Sequence, residues 1–111
     1  MLVSLHDVMK IAERDKIAIG AFNVPNWESA AAIIGAAEET DMPVVLQYVL
    51  VHAQFLSMED AAEIMLYFAK KTKVPVCVHL DHGDGFEGGY RTASFKETHK
   101  ELAAGGDRLK T

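Results

Sequence analysis

The chain has 111 residues, of which 50% are hydrophobic and 24% are charged. These fractions are typical of a globular protein and exclude a fibrous or largely disordered chain. The length allows one domain with a core of its own. The net charge of -5, with only 11 lysines and arginines, argues against nucleic acid and anionic membranes as partners.

The expected location is the cytoplasm. The N-terminal sequence MLVSLHDVMKIAERD has no basic leader and contains Asp7 early, so it does not resemble a signal peptide. No apolar run has the length of a membrane-spanning helix. Cys77, the one cysteine, lies inside an apolar run and is expected to act as a small buried hydrophobic residue.

The first predicted elements are a helix and a strand. Residues 4–14 place apolar side chains at helical spacing, and Ser4 and Asp7 form a capping-box pattern at the start. Residues 17–24 are apolar except for Asn23 and are followed by Pro25. This pattern predicts a strand that is covered on both faces.

The same alternation continues along the chain. Asn26 and Ser57 have side chains suited to begin helices. The pattern then predicts a helix over residues 27–40, a strand over 42–51, a helix over 58–73 and a strand over 74–80.

The succession of elements predicts an α/β fold with a parallel sheet. By pattern alone the sheet can belong either to a barrel or to an open, doubly wound domain. Both architectures bind ligands at the C-terminal ends of the strands. The polar residues expected at that edge are Asn23, His79, Asp81 and His82.

The third strand ends in the sequence LDHG, which is a candidate site. Side chains alternate along a strand, so His79 and Asp81 share one face and His82 points to the other unless the chain turns at Gly83. A histidine here can ligate a metal, and an aspartate can act as a general acid and base. The residues alone do not decide between such a site and a strand that merely ends in polar residues. They also leave two roles open for Asn23, which can bond to its own turn or contact a substrate hydroxyl.

The sequence changes character towards the C-terminus. Residues 83–111 contain neither valine nor isoleucine and include six of the eight glycines. No fourth strand is predicted there.

Three motifs give the chain a family resemblance. AFNV at the end of the first strand, PVVLQ in the second and VHLDHG in the third occur in the order and spacing of the class II, zinc-dependent ketose-bisphosphate aldolases. This family includes the fructose-bisphosphate and tagatose-bisphosphate enzymes. The resemblance covers residues 1–87, which we expect to form the N-terminal part of the aldolase barrel. Residues 88–111 do not resemble the family, and we expect them to be a divergent or frameshifted polar tail.

The resemblance implies a TIM (β/α)8 barrel, of which this chain supplies about three βα units from the N-terminal portion. It also implies that Asp81 exchanges the proton of the substrate hydroxyl, that His82 ligates zinc, and that Asn23 lies near the dihydroxyacetone phosphate moiety. In that chemistry zinc polarises the ketone of a phosphorylated ketose and stabilises the enediolate. The complete enzyme is expected to be a homo-oligomer.

The chain departs from the family pattern in two ways. Val49 and Leu50 stand where many members have a serine or another small residue. The remaining zinc-binding histidines and the phosphate site are absent, and a full barrel has about 250 residues. We therefore expect an N-terminal fragment that is inactive alone. The alternatives are a non-catalytic half-barrel that self-associates through its open sheet edge, and a flavodoxin-like domain with a different strand order.

Overall fold

The computed structural model describes residues 1–81, which form a three-stranded sheet with three α-helices. The elements are α1 (Leu5–Asp15), β1 (Gly20–Asn23), α2 (Trp27–Thr40), β2 (Val44–Val49), a 3₁₀ helix (Leu50–Gln54), α3 (Met58–Lys71) and β3 (Val76–Asp81). None of the helices in residues 1–81 is long and apolar enough to cross a membrane.

The three helices begin at the residues that the sequence predicts. The side chains of Ser4, Asn26 and Ser57 each accept a hydrogen bond from the backbone N–H three residues further on, at 3.1, 2.8 and 3.1 Å. The Ser4 N–H in turn donates to the Asp7 carboxylate, which completes the predicted capping box. These bonds satisfy backbone donors that have no partner within the helix.

The sheet is parallel and its strands lie in the order β1-β2-β3. In a barrel segment, strands that follow one another in the chain are expected to be neighbours in the sheet, as they are here. A flavodoxin-like sheet would instead place β1 between the two strands that follow it. The flavodoxin-like alternative therefore does not describe this chain.

The core has two parts, one on each face of the sheet. Helices α2 and α3 cover the face that carries Leu46 and Tyr48, which are 0% and 1% exposed. On the opposite face, Val8 of α1 packs against Val45 and Cys77, so the predicted burial of the cysteine is confirmed. Helix α1 thereby covers the N-terminal half of this second face.

The prediction for the first strand was wrong in length and in burial. Strand β1 has four residues, and three of them are exposed. The reason is its position at the edge of the described sheet, where it pairs only with β2. Between β1 and α2 lies an apolar groove of about 430 Å³, bordered by Ala18, Gly20, Phe22, Ala32, Ile33, Ala36, Ala37, Thr40, Met42, Pro43 and Val44.

The other element boundaries also differ from prediction, for local reasons. Strand β2 ends at Val49 because residues 50–54 turn into the 3₁₀ helix. Helix α3 ends at Lys71, and Thr72 adopts an extended backbone. The Thr72 hydroxyl donates to the Glu38 carboxylate at 2.7 Å, which links the ends of α3 and α2.

Candidate functional site

Two of the three predicted site residues lie at the C-terminal edge of the described sheet. Asn23 is the last residue of β1 and Asp81 the last described residue of β3. His82 lies outside the described residues. The predicted position of polar side chains at this edge is therefore confirmed for Asn23 and Asp81.

Gln47 of the central strand lies between these two side chains. Its Nε2 donates to Asn23 Oδ1 at 2.9 Å and to Asp81 Oδ2 at 3.3 Å. Strand pairing produces this arrangement, since Gln47 is the register partner of Asn23 on one side and of His79 on the other. The three strands thus present one polar row across the sheet.

His79 extends the polar row beside Asp81. Its Nε2 lies 4.0 Å from Asp81 Oδ1, which is an ion-pair distance when the imidazole is protonated. The side chains of His79 and Asp81 are 38% and 31% exposed. Both groups can therefore reach a molecule bound over this edge, and the histidine is not a wholly buried core residue.

Sequence reasoning missed Gln47 as a member of the site. The available signal was a single amide inside the apolar segment VVLQYV, where every other residue of the strand is buried. A polar side chain within such a segment needs a hydrogen-bonding partner. Its partners come from two other strands, at separations of 24 and 34 residues, which local sequence patterns do not show.

The described residues do not by themselves fit a zinc centre. No group of three or more histidine, cysteine, aspartate or glutamate side chains in residues 1–81 is arranged to hold a metal. A catalytic zinc usually takes three protein ligands. His79 and Asp81 lie close to each other, but a complete donor set requires residues outside the described part.

Comparison with known proteins relates the chain to a family. The model for "Fructose-bisphosphate aldolase class-II" matches residues 3–99. The chain belongs to the class II fructose-bisphosphate aldolase family. This result confirms the resemblance inferred from the AFNV, PVVLQ and VHLDHG motifs, and class II aldolases are generally zinc-dependent.

Two sequence relatives are aldolases whose names specify different substrates. The fructose-bisphosphate aldolase of Geobacillus stearothermophilus is 38% identical over 89 residues, covering 78% of this chain and 31% of the relative. The 6-phospho-5-dehydro-2-deoxy-D-gluconate aldolase of Halalkalibacterium halodurans is also 38% identical, covering 74% of this chain and 30% of the relative.

A solved structure supports the barrel assignment. The YdjI aldolase of Escherichia coli K12 superposes with a TM-score of 0.73 at 36% identity, covering 78% of this chain and 34% of that protein. The aldolase-family chain described here therefore has the alternating strands and helices of part of a TIM barrel. It spans about a third of the length of these relatives.

Proposed function

We propose that this chain is the N-terminal part of a class II aldolase that cleaves a ketose bisphosphate, fructose or tagatose 1,6-bisphosphate, to dihydroxyacetone phosphate and an aldehyde. The observation that carries the proposal is the position of the Asp81 carboxylate at the C-terminal edge of the sheet, in one hydrogen-bonded row with Gln47 and Asn23. That edge is where TIM barrels bind substrates.

In this proposal Asp81 is the general base for cleavage. The carboxylate takes the proton of the substrate hydroxyl while the neighbouring carbon–carbon bond breaks, so that the hydroxyl carbon becomes the aldehyde carbonyl. The bonding electrons pass to the dihydroxyacetone phosphate fragment as an enediolate. In the condensation direction the protonated Asp81 returns the proton to the new hydroxyl.

Asn23 has a substrate-binding role in the same proposal. It is exposed at the end of β1 and lies in the same row as Asp81, so a molecule that reaches the carboxylate also meets the amide. An amide can both donate to and accept from substrate hydroxyl groups.

His82 as a zinc ligand stays a prediction, as do the zinc cofactor, cytoplasmic location and homo-oligomeric state. The division of the chain after residue 87 also stays a prediction, because residues 82–111 lie outside the described part.

Activity assays with and without the rest of a barrel test the proposal. The 111-residue chain with added zinc should give no measurable cleavage of either bisphosphate. Mixing it with the part of the Geobacillus stearothermophilus aldolase that it does not cover should produce dihydroxyacetone phosphate. Asp81→Asn should lower that turnover by about 10²–10⁴-fold, because the proton acceptor is removed.

Asp41→Asn is the matched control, since Asp41 is exposed and has the left-handed backbone that asparagine also adopts. It should leave turnover unchanged. Cleavage by the isolated chain would contradict its proposed inactivity, and complemented turnover that survives Asp81→Asn would contradict the role of Asp81.

The second candidate is a non-catalytic half-barrel that associates with another copy of itself. The exposed edge of β1 and the apolar groove beside α2 favour it, because an uncovered strand edge and apolar surface both promote association. This candidate predicts a discrete oligomer in sedimentation experiments and no turnover in any mixture. Ala36→Arg, which places a charge in the groove, should dissociate that oligomer.

A further inference from the structure

The Gln47 side chain makes two hydrogen bonds to residues of the proposed active site. A primary amide nitrogen carries two N–H groups, so Nε2 can donate to Asn23 Oδ1 and to Asp81 Oδ2 at the same time. The two partners come from β1 and β3, the strands on either side of β2. Gln47 is therefore the one residue in the described row that contacts both of them.

The backbone of Gln47 is held in place by the residues that flank it. Leu46 and Tyr48 are almost completely buried under α2 and α3. The Tyr48 hydroxyl also donates to the Leu56 carbonyl at 2.8 Å. The amide of Gln47 thus projects from a fixed point on the central strand, while Asn23 is exposed on a strand at the sheet edge.

These contacts fix how the two partners present their polar atoms. Because Asn23 Oδ1 accepts from Gln47, the Asn23 Nδ2 lies on the other side of that amide and can serve as a donor. Because Asp81 Oδ2 accepts from Gln47, Oδ1 faces His79 Nε2 at 4.0 Å. A carboxylate that transfers a proton works best when its direction is set before substrate binds.

We propose that Gln47 is a positioning residue that holds the Asp81 carboxylate and the Asn23 amide in a single orientation for the substrate. This inference rests on the proposed function, but the orientation of the two side chains by Gln47 is a property of the 111-residue chain. Gln47 acts through its two partners and is not assigned a contact with the reacting atoms.

Nuclear magnetic resonance of the 111-residue chain tests directly whether Gln47 fixes these two side chains. In the unsubstituted chain, the Hα–Hβ couplings of both Asp81 and Asn23 should have the values of a single staggered side-chain rotamer, either one large and one small or both small. Gln47→Met keeps the length of the side chain and removes both donors. In that variant the couplings of both residues should become intermediate and nearly equal, as for averaged rotamers.

Two further variants separate positioning from general structure. Gln47→Glu keeps the shape of the side chain but offers only acceptors. The Asn23 amide should therefore flip so that its NH2 group donates to residue 47, and the chemical shifts of that NH2 group should change. Tyr48→Phe removes one hydrogen bond from the same strand on the opposite face and should leave the couplings of Asp81 and Asn23 unchanged. Backbone amide spectra establish that each variant is folded.

Unchanged Asp81 and Asn23 couplings in a folded Gln47→Met variant would overturn the proposal. If that variant fails to fold, nuclear Overhauser effects in the unsubstituted chain decide, because the Gln47 NH2 protons must lie near the Hβ protons of both partners. Their absence would also overturn the proposal. None of these readouts needs turnover, so failure of the aldolase assignment and failure of the positioning role give different results.

Discussion

The two faces of the sheet differ most clearly along three successive residues of β2. Leu46 and Tyr48 face α2 and α3, where they are 0% and 1% exposed, and the Tyr48 hydroxyl bonds to a backbone carbonyl. Gln47 faces the other way and bonds to Asn23 and Asp81. On the first face the polar hydroxyl of Tyr48 is satisfied within the core, whereas on the second face Gln47 connects polar side chains from three strands.

The second face is itself divided by α1. Val8 covers Val45 and Cys77 near the N-terminal ends of the strands, whereas the polar row lies towards their C-terminal ends. Substitutions in the covered regions should therefore reduce stability, while those in the polar row should chiefly alter chemistry. The following three predictions test this separation.

The largest effect is expected from a charge beneath α1. Val8 is 0% exposed, so Val8→Asp loses apolar burial and places a carboxylate among Val45 and Cys77. The free energy of unfolding should fall by about 4 kcal/mol at neutral pH. Urea denaturation followed by circular dichroism measures this change.

Met9→Asp is the control on the same helix, because Met9 is 51% exposed. It should change the free energy of unfolding by about 0.5 kcal/mol or less. Similar losses for Val8→Asp and Met9→Asp would show that α1 does not cover the sheet in the way described.

A smaller effect is expected from adjacent truncations on β2. Leu46→Ala opens a cavity between the sheet and the helices and should cost about 3 kcal/mol of unfolding free energy. Gln47→Ala removes a half-buried amide and should cost about 1 kcal/mol. Urea denaturation of both variants gives the comparison, and equal costs would contradict the difference between the two faces.

The smallest effect concerns alkaline pH and Tyr48. Burial, and to a lesser extent the negative charge of Glu59, raises the pKa of this phenol. In the unfolded chain a tyrosine ionises near pH 10. The folded state therefore keeps its proton where the unfolded state loses it, so this stabilising contribution is complete below about pH 10 and is lost as the pH rises further.

Unfolding free energies of the unsubstituted chain and of Tyr48→Phe, measured from pH 8 upwards by urea denaturation, isolate this contribution. The difference between the two free energies should stay constant below about pH 10. At higher pH the unsubstituted chain should lose stability relative to Tyr48→Phe. A difference that is independent of pH throughout would show that Tyr48 ionises equally in both states.

Much of the fold could be predicted because its signals are local. Ser4, Asn26 and Ser57 begin helices by bonding to backbone groups three residues away, and apolar runs mark the strands. Strand ends were less predictable. The exposure of β1 follows from its place at the sheet edge, which nothing within residues 17–24 encodes.

The sequence by itself determined the order of the elements, the burial of Cys77, the family, and the placement of Asn23 and Asp81 at strand ends. Only the tertiary structure decided which side chains meet. Parallel pairing set Gln47 opposite Asn23 and His79. It thereby allowed Gln47 to bond to Asn23, which is 24 positions away in the chain, and to Asp81, which is 34 positions away. The physical reason is that strand register is fixed by packing across the whole sheet, so the partners of Gln47 depend on residues far from it in the chain.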